Sequence, residues 1–106
     1  METELNIDAH LPILQRCIID EVPGKWEEIG IQLGFQSNKL ENISDNWNRP
    51  KERMKDMLRQ WLRRGNGTGD KPRTVQTLFD TLVDRSCRPE AELLEREFRG
   101  QYIRKW

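Results

Sequence analysis

Apolar residues recur along this chain at helical spacing. Trp26, Ile29 and Leu33 fall at i, i+3 and i+7, one face of a helix. Leu40 and Ile43 follow on a second short stripe. Met54, Met57, Leu58, Trp61 and Leu62 form the clearest stripe, spread over two turns. After a polar gap come Val75, Leu78, Phe79, Leu82 and Val83. Leu11, Leu14, Ile18 and Val22 mark a helix upstream, and Ala91, Leu94 and Phe98 one downstream. No run alternates apolar and polar residues with β-branched enrichment, so strands are not expected. The pattern predicts an all-α chain of six helices.

Punctuation sets their limits. The first helix is expected from Asp8 to Glu21, capped by Asp8, with Pro12 tolerable in the first turn where N–H groups lack partners anyway. Val22-Pro23-Gly24 ends it. The second runs from Lys25 to Leu33 and stops at Gly34. Gly30 inside it costs about 1 kcal/mol relative to Ala, a cost expected where another backbone comes close. Ser37 can cap the third helix and Trp47 ends it, either covering the core or standing exposed. Pro50 opens the fourth at or near its first position. Arg63 and Arg64 close that helix beside the negative end of its dipole, with Gly65 as the left-handed residue beyond. Residues 65–73 read as a flexible polar connection. Thr74 can cap the fifth helix, which runs to about Arg85, and Pro89 opens the sixth. Residues 99–106 extend the sixth or fray, with Gly100 weakening an extension. Most of these helices are too short to be stable alone in water. Trp26, Ile29, Leu33, Leu58, Trp61, Leu78 and Leu82 are therefore expected to share one core.

Composition narrows the class. With 106 residues, 35% apolar and 34% charged, the chain suits one domain of thin amphipathic helices. Its core is expected over residues 8–98, with 1–7 and 99–106 as flanking segments. Cys17 and Cys87 are too few for a disulfide framework and are expected reduced, which fits a cytoplasmic location. Cys17 lies in an apolar run and Cys87 in a short polar connection. Met1-Glu2-Thr3-Glu4 lacks a signal-peptide apolar core. No apolar stretch approaches the roughly 20 residues that insert in a membrane. The sequons at Asn42 and Asn66 are accordingly read as unglycosylated.

Candidate chemistry is sparse. His10 is the single histidine, which removes most metal sites and triads. Gly65-Asn66-Gly67-Thr68-Gly69-Asp70-Lys71 superficially resembles a phosphate loop. It has Asp70 where the second glycine belongs, and it follows a helix rather than a strand. No catalytic residue, metal, cofactor or small-molecule substrate is expected, and the chain is read as a non-enzyme.

Charge changes the picture. Residues 1–46 carry three Lys/Arg against nine Asp/Glu, a net of −6. Residues 47–106 carry fifteen against nine, a net of +6, so the neutral whole is sharply divided. The stretch Arg49–Arg64 alone has a net of +5. Lys55, Arg59, Arg63 and Arg64 are expected on a basic outer patch. Glu27, Glu28, Glu41 and Asp45 are expected on an acidic one. A basic fourth helix also raises the alternative of a small helical nucleic-acid-binding domain. Neutral overall charge and acidic neighbouring helices weigh against it.

Trp26-x-x-Ile29-Gly30-x-x-Leu33-Gly34, the short third helix, Met57-Leu58-x-x-Trp61 and the Thr74-opened fifth helix together resemble the death domain family. The resemblance covers about residues 8–98. The Trp26-x-x-Ile29-Gly30-x-x-Leu33-Gly34 pattern and Trp61 favour a death domain over the related caspase-recruitment and death-effector domains. It implies an antiparallel six-helix bundle of the death-fold type that binds other death domains, of its own kind or another, in apoptotic, inflammatory or receptor-adaptor signalling. It also implies two kinds of contact. In one, helices one and four of one molecule meet helices two and three of the next. In the other, helix four and the following loop meet the connection between helices five and six. An aromatic residue at Trp47 departs from the family pattern.

Overall fold

The computed structural model describes residues 4–103. Six α-helices follow one another: α1 Ile7–Leu14, α2 Trp26–Leu33, α3 Ser37–Asn46, α4 Pro50–Leu62, α5 Val75–Asp84 and α6 Arg88–Ile103. Among the described residues there is no strand, only an isolated antiparallel bridge between Glu4 and Thr74. The fold is all-helical, as the periodicity requires.

The first helix departs from its expected form. Asn6, not Asp8, caps it, its side chain accepting from the Ala9 N–H at 2.8 Å. After Leu14 the backbone widens into one π-turn over Gln15–Ile19, closed by Asp20 N–H to Gln15 C=O at 2.9 Å. The widening brings Cys17, Ile18 and Ile19 into the core in succession. A single α-helical stripe cannot bury three consecutive residues.

His10 completes the cap, its Nδ1 accepting from the Asn6 N–H at 2.9 Å while its ring tilts against Phe98. Burial holds its pKa below the usual value of about 6.5. Between the two values the unfolded chain binds more protons, so stability rises with pH. The His10 contribution is complete above about pH 6.5 and is lost as pH falls through the lower folded value. Thermal unfolding at pH 7 and pH 5 should show less loss for His10→Gln, which keeps an acceptor without titrating, than for the wild type.

Three helices end in the same way. Gly34, Arg64 and Ser86 adopt left-handed backbone after α2, α4 and α5, with φ of 104°, 58° and 64°. In each case the following N–H reaches back: Phe35 to Gly30, Gly65 to Gln60 and Cys87 to Leu82. Gly65 was expected to be the left-handed residue of α4, but Arg64 takes that role and Gly65 follows it. Helix α3 carries no side-chain cap. Gln36 stands at its cap position and Ser37 is already helical. Thr74 does cap α5, accepting from Thr77 N–H at 3.2 Å.

Trp26, Ile29, Leu33, Leu58, Trp61, Leu78 and Leu82 lie in one buried cluster, with Trp61 fully enclosed. The cluster also takes in Leu5 and Phe35, so the segment before α1 is partly core rather than flanking. Leu5 N–H bonds Arg73 C=O at 2.7 Å. Cys87, read from its polar surroundings as a connection residue, is buried because the α5 end motif turns it inward. Gly30 meets a side chain rather than another backbone. A Cβ there would lie 2.8 Å from Leu40 Cδ2. Helix α6 runs on to Ile103, past the expected fraying point; residues 104–106 lie outside the described residues.

Candidate functional site

Helix α4 presents the basic surface. Its apolar stripe of Met54, Met57, Leu58, Trp61 and Leu62 is buried, which turns the opposite side to solvent. Lys55 and Arg63 are exposed and Arg59 is half-buried. Among the described residues, none of the three side chains makes an ion pair or a hydrogen bond. Of the other four basic side chains between Arg49 and Arg64, Arg49 is exposed and likewise unpaired among the described residues, and three are engaged. Lys51 pairs with Asp20 at 3.7 Å. Arg64, set apart by its left-handed backbone, pairs with Glu4. Arg53 lies 5.8 Å over the Trp26 ring and donates to the carbonyls of Trp47 at 2.7 Å and Ser44 at 3.2 Å. It thereby fastens the end of α3 to α4.

Trp47 resolves between its two expected placements as half-buried against the core. Its Nε1 donates to Asp56 at 3.0 Å, and Gln60 donates to the same carboxylate oxygen at 3.1 Å. One of the two carboxylates on α4 is thus occupied within the molecule.

The acidic surface lies on α2 and α3, which pack on each other. Glu27, Glu28, Glu41 and Asp45 are all exposed. Glu28 makes a surface pair with Lys25 at 3.6 Å, worth little in water. Glu27, Glu41 and Asp45 make no ion pair among the described residues. One turn beyond Glu27 and Glu28 stands Ile31, 61% exposed. It lies two residues from Ile29 and off the buried stripe. That misplacement is the signal in the sequence, where the Trp26, Ile29 and Leu33 pattern drew attention to the inward face alone.

Several concavities are lined by the described residues. The first, of about 490 Å³, runs between α1 and α4, lined by Ile7, Leu11 and Pro12 with Lys55, Arg63, Asp8 and Gln15. A second, of about 190 Å³, lies beside Trp47 among Glu52, Lys55, Asp56 and Arg59. Another, of about 620 Å³, is ringed by residues 64–67 and 69–73 with Gly34 and Gln36. Its cations are committed elsewhere: Arg64 to Glu4, and Lys71 to the Gln32 carbonyl at 2.6 Å.

Arg73 organises that loop, contrary to its reading as a flexible connection. Buried, it donates to the carbonyls of Trp61 (2.8 Å), Gly69 (3.1 Å) and Lys71 (2.7 Å) and to Thr68 Oγ1 (2.7 Å). Its guanidinium lies 5.4 Å over the Trp61 ring. Nothing in the polar sequence of the loop singles out Arg73 for burial.

The two thiols are poor nucleophiles. Burial pushes Cys17 up to about 11 and raises Cys87 as well, so both stay protonated near neutral pH. Among the described residues no cluster of three His, Cys, Asp or Glu side chains could hold a metal ion. No helix among them is long and apolar enough to cross a membrane.

An all-helical bundle of six helices is the architecture of the death-domain fold. The chain belongs to the death domain family, whose model, described as Death domain, matches residues 14–98. It is accordingly a protein-interaction module of signalling, of a family whose members bind rather than catalyse. No curated protein and no solved structure matches the chain.

Proposed function

We propose that this death domain recruits other death domains, including copies of itself, by docking its acidic α2–α3 surface on the basic α4 surface of the next molecule. The observation that carries this reading is the set of unpaired charges. Lys55, Arg59 and Arg63 on one side, and Glu27, Glu41 and Asp45 on the other, find no ion-pair partner among the described residues. Because the two surfaces differ, the contact is head-to-tail and propagates unless it closes into a ring. Each exposed pair is worth only about 0–1 kcal/mol, so charge sets orientation and partner choice. Several weak contacts per subunit then supply the strength. The reading places the module in cytosolic apoptotic, inflammatory or receptor-adaptor assemblies, with neither nucleic acid nor membrane among its partners.

Arg59→Glu and Glu28→Lys test it. Each should abolish assembly, measured by light scattering or by pull-down with another death domain, while leaving far-UV circular dichroism unchanged. Normal association of both variants would refute the assignment of the two surfaces.

A further inference from the structure

We propose that Asn66 is a self-modifying site, where the backbone nitrogen of Gly67 closes on the Asn66 side chain and turns its amide into a carboxylate. The inference does not depend on how the domain docks. Asparagine stands at positions 6, 38, 42, 46, 48 and 66, and only Asn66 is followed by glycine. A residue without a Cβ lets its nitrogen approach the preceding side chain unobstructed. The turn cannot shed this glycine. Gly67 holds a left-handed φ of 78°, and a Cβ on it would lie 2.8 Å from Lys39 Cγ. The reactive dipeptide is therefore built into the fold.

Surroundings also set Asn66 apart. Its side chain is exposed. Among the described residues that side chain makes no hydrogen bond, and the Gly67 N–H makes none either. Arg73 orders the loop through Thr68, Gly69 and Lys71, and none of its bonds falls on Asn66 or Gly67. The other asparagines are restrained. Asn6 is engaged as the cap of α1. Asn38, Asn42 and Asn46 lie within α3, and the nitrogens of Lys39 and Trp47 donate to the Gln36 and Ile43 carbonyls. Asn48 precedes Arg49, whose Cβ obstructs the approach.

In the first step a bond forms between Gly67 N and Asn66 Cγ. Gly67 N gives up its proton, the bond from Cγ to the side-chain nitrogen breaks, and ammonia leaves. Water then opens the five-membered ring at either carbonyl. Opening at the side-chain carbonyl leaves an ordinary aspartate. Opening at the backbone carbonyl leaves an isoaspartate, whose main chain runs through the former side chain and is one carbon longer. Either product adds a negative charge to a hollow lined by Arg64, Lys71 and Arg73 against Asp70 alone. Isoaspartate does more. Gln36 N–H donates to Gly67 C=O at 2.8 Å and so ties the loop to the cap position of α3. A longer main chain ahead of Gly67 displaces that carbonyl and releases the Gln36 amide.

Peptide mass spectrometry of the whole chain, aged at neutral pH and physiological temperature, tests the proposal. Digestion at mildly acidic pH, with an unaged sample as baseline, keeps ring closure out of the handling. Amide loss at Asn66 should be about tenfold faster, or more, than at any other asparagine, a barrier lower by at least about 1.4 kcal/mol. Two acidic products should appear. One co-elutes with the same peptide from Asn66→Asp, and the other accepts a methyl group from an isoaspartyl methyltransferase. Asn66→Gln should keep its amide, because a six-membered ring closes far more slowly. Hydrogen exchange at the Gln36 amide should be faster in the aged chain than in the fresh one, and unchanged in Asn66→Asp. An Asn66 amide that survives ageing, or decays no faster than the others, would overturn the inference. So would a product made only of aspartate, which marks hydrolysis without the ring. Unchanged exchange at Gln36 in a chain rich in isoaspartate would overturn the release of α3.

Discussion

Arg73→Met is expected to lower the stability of the fold by about 3 kcal/mol, because it strands acceptors that have been withdrawn from water. Methionine keeps the length of the stem and its contact with Trp61 but donates no hydrogen bond. The carbonyls of Trp61, Gly69 and Lys71 and the hydroxyl of Thr68 each lose the donor that Arg73 supplies. The loop also loses the link that joins it to the end of α4. A domain of this size should melt roughly 10–20 °C lower. Thermal unfolding followed by circular dichroism measures the difference; a shift of only a degree or two would show that the network is dispensable. The same loss should raise hydrogen exchange over residues 65–73 before it is felt in the helices.

The second large effect falls on the indole beneath that guanidinium. Trp61 is fully enclosed and is the largest such side chain in the described structure. Trp61→Ala should cost about 3–5 kcal/mol, the range for emptying an aromatic site in a core. Trp61→Phe should cost far less. The indole Nε1 has no hydrogen-bond partner among the described residues, so deleting it strands nothing. Chemical denaturation of both variants tests this, and a phenylalanine variant as unstable as the alanine one would contradict the unpartnered N–H. Because Arg73 stacks on this ring, the Arg73→Met and Trp61→Ala losses should not add. A double-mutant cycle should return a coupling of order 1 kcal/mol.

The helices and their buried faces were legible because period and punctuation agree along most of the chain. Trp26, Ile29 and Leu33 repeat at helical spacing, Pro50 opens α4, and Thr74 caps α5. Legibility failed where a tertiary partner decides the outcome. Leu5 lies ahead of α1, and its burial depends on a bond to Arg73, 68 residues away in sequence. The π-turn after Leu14 is a response to packing that no local signal announces. Arg64 adopts a left-handed backbone beside an available glycine, which places its guanidinium where Glu4 can reach it. Arg73 is a charged residue in a polar loop, and its role exists only once the loop has closed over Trp61.

The candidate surfaces follow the same division. The periodicity of α4 turned Lys55, Arg59 and Arg63 outward on the strength of its buried stripe alone. It could not say that Lys51, Arg53 and Arg64 would be taken up within the molecule, since their partners come from other elements. Those engagements reduce a run of seven basic residues to four without a side-chain partner among the described residues, Arg49, Lys55, Arg59 and Arg63, of which Lys55 and Arg63 line the α1 groove. The exposure of Ile31 and the groove between α1 and α4 depend on how the helices pack together, which their separate periodicities do not carry.

The central claim is that oppositely charged surfaces on one chain dock copies of it head to tail. Its most direct test is the weight-average mass of the wild-type chain, measured by light scattering over a range of concentrations at low salt and again at about 0.5 M salt, where screening shortens to a few ångströms. The account predicts mass that climbs with concentration at low salt and falls back toward the monomer at high salt. A mass that stays monomeric throughout, or association that strengthens as salt is added, would contradict it.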